Sequence, residues 1–149
     1  MNIIEQVKQI LTDCELVRKF TRDIQIDFTS NEVGDFGLFS NGDSKLREDI
    51  LGNQTRQHNF VLYATNRSRE EFERLKNSSF LLDLAYWLET VKGQEVTATI
   101  NGVEYSGEIT KLWSANGMLY QAQPNMTKGV TYQLQIYAQY KLKEGGKQA

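Results

Sequence analysis

Taken every second residue, the stretch TYQLQIYAQY at positions 131–140 separates into two faces. Tyr132, Leu134, Ile136, Ala138 and Tyr140 form one, the period-2 pattern of a strand with its apolar side on a core. Gln133, Gln135, Tyr137 and Gln139 form the other, which is long, uncharged and rich in hydrogen-bonding groups. DIQIDFTS reads as a half-buried strand of the same kind, Ile24, Ile26 and Phe28 alternating with Gln25, Asp27 and Thr29. RQHNFVLYATN is the clearest central strand. His58, Phe60, Leu62 and Ala64 share one face, and Val61 with Tyr63 on the other predicts cover on both sides.

Helical spacing appears in two regions. Ile3, Ile4, Val7, Ile10 and Leu11 predict a short amphipathic helix. Ser68 followed by Glu71 forms a capping box, opening a short helix with Phe72 and Leu75 on its apolar side. KNSS interrupts it, and a second helix restarts near Phe80. There Phe80, Leu84, Trp87 and Leu88 lie on one stripe, with Leu81 beside it and Gly93 as the stop.

Turn chemistry divides the rest. SNGDS has the side chains of a tight turn, so that Leu38 and Phe39 end the strand before it. In VTATINGVEYSG the Asn101–Gly102 pair predicts a type I′ hairpin, because both residues tolerate positive φ. Pro124 lies in a loop before the last strand, and KLKEGGKQA carries no apolar pattern. The order helix, strands, helices, strands predicts an α+β fold, a mostly antiparallel sheet with helices packed on one face. The domain spans residues 1–142, with a flexible polar tail at 143–149.

Composition narrows the function. A chain of 149 residues holds one core of ordinary size. A net charge of -2 gives no basic stripe of the kind duplex nucleic acid needs, so no specific nucleic-acid binding is expected. Apolar runs of a few residues fall short of the roughly 20 that span a bilayer. MNIIEQVKQILTDCELV lacks the basic start and apolar stretch of a signal segment, and the expectation is a soluble, intracellular protein with no membrane partner.

Candidate chemistry is sparse. Cys14 and His58 are the only residues of their types. Cys14 follows an amphipathic helix, and His58 opens a strand with no orienting acid beside it in sequence, so His58 reads as a structural or surface histidine. One cysteine and one histidine poorly supply a zinc site. DFG at 35–37 lacks the rest of the kinase motifs, and the glycines around it have no phosphate-binding spacing. Asp43, Glu48 and Asp49 alternate with Lys45 and Arg47, the pattern of a solvated loop. Arg47, Arg56, Arg67 and Arg69 read as surface charge, and Tyr86 with Trp87 as core packing. The residues therefore name no catalytic, metal-binding or cofactor-binding group. They favour a binding or structural role. A small enzyme using His58 or the acidic cluster stays open as the alternative, as does a generic protein-binding module.

LREDILGNQTRQHNFVLYATN, then REEFERLKNSSFLLDLAYWLE, then the closing TYQLQIYAQYKL resemble small tailed-phage proteins. These are the minor capsid or tail-terminator-like proteins of phages and prophages of Gram-positive bacteria, and the resemblance runs from about residue 34 to 142. It implies a non-enzymatic virion-assembly protein with no cofactor. Such proteins form a ring, commonly a hexamer, that caps the tail tube and halts its growth. The ring then meets the head-completion or connector proteins. The partners implied are copies of the chain itself, the major tail (tube) protein and those connectors, with assembly in the bacterial cytoplasm and a final place in the virion tail. Gln133, Gln135, Tyr137 and Gln139 then become subunit-interface candidates, facing either a neighbouring subunit or a helix of the same chain.

Overall fold

The structure, a computed structural model, describes residues 1–19, 24–27, 36–66, 71–122 and 130–145, with residues 66, 71–77, 116, 118–122 and 130 described by backbone alone. Helices α1 (Ile3–Asp13) and α2 (Glu15–Arg18) precede strands β1 (Ile24–Ile26), β2 (Phe36–Glu48) and β3 (Gln54–Asn66). Helix α3 (Glu71–Leu88) is followed by β4 (Glu95–Ile100), β5 (Val103–Ala122) and β6 (Val130–Glu144). One six-stranded sheet runs in the order β1-β2-β3-β6-β5-β4. β1 is parallel to β2, and every other pair is antiparallel.

The expected α+β layering is overturned. The sheet is mixed and curls into a half-barrel, and the helices do not form a layer on one sheet face. Strand length and bulges account for the curl. β2, β3, β5 and β6 have 13 to 20 residues each, so twist accumulates along them. Register shifts in β2 and β5 bend the ladder further. α1 records the result by touching both edge strands, β1 and β4. α1 thus bridges the two edge strands of the curled sheet.

α1 begins with a full capping box. Asn2 accepts from the Glu5 N–H, and Glu5 accepts from the Asn2 N–H. Its buried stripe is Ile3, Val7, Ile10 and Leu11, as the spacing predicts. The helix start is tied to β4, where the Thr97 N–H donates to the Met1 carbonyl and Gln6 donates to the Glu95 carbonyl. These bonds cover part of an otherwise open sheet edge.

α3 is one continuous helix through KNSS, where the pattern predicts an interruption. Asn and Ser cost a helix only about half a kcal/mol each, and the burial of Phe80, Leu81, Leu84 and Leu88 outweighs that. Trp87 packs against the core, whereas Tyr86 is 61% exposed and is no core residue. The capping serine Ser68 lies outside the described residues, as do the side chains of Phe72 and Leu75 and the loop that holds Pro124.

Two turns exchange roles. SNGDS is a bulge within β2: Ser40 pairs with Phe60 and Asp43 with His58, leaving Asn41 and Gly42 between them. Gly42 has a φ of 109°, a left-handed conformation that suits glycine. The β2–β3 turn itself is Asp49–Asn53. Asn101–Gly102 forms the expected tight hairpin, with φ of 52° and 80°. β6 continues through Glu144, so the first residues of the polar tail pair with β5.

The core lies on the concave side. Phe36, Leu38, Phe60, Leu62, Ala64, Leu134, Ile136 and Ala138 join the buried residues of all three helices in one cluster. In β1, at the sheet edge, Ile24 is buried but Ile26 is exposed.

Candidate functional site

The register places alternate residues of β3 and β6 on opposite sides of the half-barrel. The concave side carries the core and, at one end, a polar cluster built on Asp43. The bulge at Asn41–Gly42 returns Asp43 to the concave face beside His58. Asp43 Oδ2 accepts from Tyr140 Oη at 2.5 Å and from His58 Nδ1 at 2.8 Å. Asp43 Oδ1 accepts from Arg56 Nε at 2.7 Å, and Arg56 also donates to Gln54 Oε1 at 2.7 Å. With Nδ1 donating to the carboxylate, Nε2 of a neutral ring accepts from Ser40 Oγ at 2.6 Å.

Burial alone would raise the Asp43 pKa. The hydrogen bonds from His58, Tyr140 and Arg56 outweigh it and hold the carboxyl below its usual range. Tyr140 is pushed far up, by burial first and then by the carboxylate it donates to. Arg56 is thus committed to Asp43 and Gln54 and is not free surface charge. Arg67 and Arg69 lie outside the described residues.

Ser40, His58 and Asp43 have the connectivity of a nucleophile, a base and an orienting acid. The backbone at the serine argues against acyl transfer. The Ser40 N–H donates to Asp27 Oδ1 at 3.1 Å. An oxyanion site needs N–H groups beside the nucleophile to receive developing negative charge. Here one such group is occupied by a carboxylate, which would repel that charge.

The opposite side is of another kind. Gln133, Gln135, Tyr137 and Gln139 stand in one row on β6, all half-buried. Pairing brings Tyr63, Val61, Asn59 and Gln57 of β3 alongside them in that order. From β5, Ala115, Trp113 and Lys111 stand beside Gln135, Tyr137 and Gln139. Trp113 stacks on Tyr137 at 5.4 Å between centroids, with the Lys111 ammonium 4.7 Å from the Trp113 ring centre. Tyr137 donates to Gln135 at 2.7 Å, Gln57 donates to Asn59 at 3.0 Å, and Phe39 meets Tyr63 edge to face at 5.3 Å. Among the side chains named on this face, Lys111 alone is charged.

The four interface candidates are therefore brought together, and the buried side chains of the helices belong to the core cluster. Val61 and Tyr63 are half-buried, so the expected cover on both sides of β3 is incomplete. Reading by sequence missed the β5 contribution, although Lys111, Trp113 and Ala115 already alternate in KLWSA. It also missed Ser40, Asp43 and Tyr140 as partners of His58, which only the bulged register reveals. Cys14 is buried at the junction of α1 and α2.

No known protein-family model matches this chain, and no curated protein matches it.

Proposed function

We propose that this chain is a non-enzymatic assembly protein that forms a closed homo-oligomeric ring, in the tail-terminator-like role at the end of a phage tail tube. The observation that carries the reading is the outer face of β3, β6 and β5. A solvated sheet face ordinarily carries charge, which discourages association. Between Gln133 and Gln139 this one presents amides, two tyrosines and a tryptophan with a single cation, Lys111, groups enriched where proteins meet and able to exchange water for a partner. Its internal hydrogen bonds and stacking pre-order the side chains and lower the entropy lost on docking. The phage role adds the tail-tube protein and the head-completion proteins as partners and rests on the resemblance of the three sequence stretches. The purified chain, alone and with a tail-tube protein, should show closed oligomers by light scattering and negative-stain microscopy. Monomers under both conditions would refute the reading.

The Ser40–His58–Asp43 connectivity supplies one rival reading, a serine hydrolase, which the Ser40 N–H bonded to Asp27 disfavours. It predicts that a fluorophosphonate probe labels Ser40 and that His58→Ala abolishes labelling without unfolding the chain. The assembly reading predicts no labelling, with Ser40→Ala lowering stability by about 1 kcal/mol through the lost hydrogen bond.

A further inference from the structure

Asparagine followed by glycine occurs at 41–42, 101–102 and 116–117. Such a pair carries its own reaction. The glycine peptide nitrogen attacks the asparagine side-chain carbon Cγ, the bond from Cγ to the amide nitrogen breaks, and ammonia leaves with the proton of the attacking N–H. The product is a five-membered succinimide. Water opens that ring at either carbonyl, giving aspartate or isoaspartate. Glycine favours closure because no side chain crowds its nitrogen and its backbone turns freely.

The fold decides how freely each pair reacts. Asn101 has a φ of 52° and Gly102 one of 80°, in a two-residue turn closed by the Ile100–Val103 pair of β4 and β5. Ring closure rotates the asparagine out of the left-handed conformation that this turn requires, so the hairpin opposes it. Asn41 and Gly42 carry no such constraint. Both are exposed, and they lie between the Ser40–Phe60 and Asp43–His58 pairs with no partner of their own across the ladder. Closure there breaks no β2–β3 pair. The side chain of Asn116 lies outside the described residues.

More depends on the first pair than on the second. Two residues after Asn41 stands Asp43, whose carboxylate holds His58, Tyr140 and Arg56 together. Isoaspartate routes the chain through Cβ and so adds one atom to the backbone beside that carboxylate. The aspartate product adds a negative charge there and leaves the backbone unchanged.

We propose that Asn41 is a site of spontaneous covalent modification, converted through the Asn41–Gly42 succinimide to aspartate and isoaspartate. The isoaspartate form moves Asp43 out of register with His58 and dismantles the polar cluster. The proposal is independent of whether the chain assembles.

The test uses the full chain, aged in warm, mildly alkaline buffer and then mapped by peptide mass spectrometry. Amide-to-acid conversion should run several-fold faster at Asn41 than at Asn101, with isoaspartate among the products at position 41. Asn41→Gln should suppress it, because closure of the larger ring is much slower. The aged wild type should melt below the fresh protein, while Asn41→Gln aged in parallel keeps its melting temperature. Asn41→Asp, with the charge but not the extra backbone atom, should melt close to the fresh wild type. Conversion at Asn101 as fast as at Asn41, or none at Asn41, overturns the site. An isoaspartyl fraction that melts with the unmodified fraction of the same sample overturns the link to the Asp43 cluster. Both of these readings come from the wild type alone, so a variant that fails to fold leaves the test decisive.

Discussion

β3 and β6 carry two chemistries one residue apart. On the concave side Phe60, Leu62, Leu134 and Ile136 are essentially sealed from water. On the outer side their neighbours Val61, Tyr63, Gln133, Gln135 and Tyr137 are half-buried, and among these five none is charged. Folding explains the first set, because apolar area removed from water is the main stabilising term. It does not explain the second. A sheet that only needed solubility would carry Lys and Glu there, as the exposed β2 segment does with Lys45, Arg47 and Glu48. The comparison teaches that burial in the core specifies one face, while the other is the face to which we assign assembly.

Substitution should separate the two. Ile136→Ala, in the core, is expected to cost about 3 kcal/mol. Gln135→Ala beside it loses the bond from Tyr137 and should cost only about 1 kcal/mol. Urea unfolding of the two variants checks this, and equal effects would erase the distinction between faces.

The Asp43 cluster is the next strongest test of the concave side. Asp43→Ala leaves His58, Tyr140 and Arg56 short of their shared acceptor and should cost about 2 kcal/mol. The pH dependence has a defined sign. The folded-state pKa of Asp43 lies below its unfolded value of about 3.9, so its contribution is complete above that value. It is lost as pH falls through the lower, folded-state value. Asp43→Asn should therefore remove part of the acid-limb loss of stability seen in the wild type. An acid limb identical in both proteins would mean the carboxylate is not stabilised as described.

A smaller effect is expected at the β4–β5 turn. Gly102, at a φ of 80°, should lose about 1 kcal/mol on replacement by alanine. The loss should appear in thermal melting, with oligomer mass unaffected, because this turn does not belong to the outer face.

Much of this was legible in the sequence. The period-2 pattern of residues 131–140 gave both faces of β6 correctly, and Asn101–Gly102 fixed its hairpin, because these signals are local. The curl was not legible. It arises from bulges whose positions depend on which strands pair, and SNGDS resembles a turn until β3 is beside it. Asp43 illustrates the same limit: flanked by Lys45 and Arg47 it reads as solvent-exposed, yet the bulge turns it onto His58 and Tyr140. α3 shows the converse, where tertiary burial of Phe80 and Leu84 carried a helix through residues that locally disfavour one. Tyr86 shows that core spacing on a helix does not ensure burial.

The most direct test is the native mass of the wild type beside that of the Gln135→Glu, Tyr137→Lys double variant. Charge placed on the outer face should leave the chain folded by circular dichroism and reduce a closed oligomer to the 17.1 kDa monomer. An unchanged mass with the fold intact would contradict the claim that this face is an assembly surface.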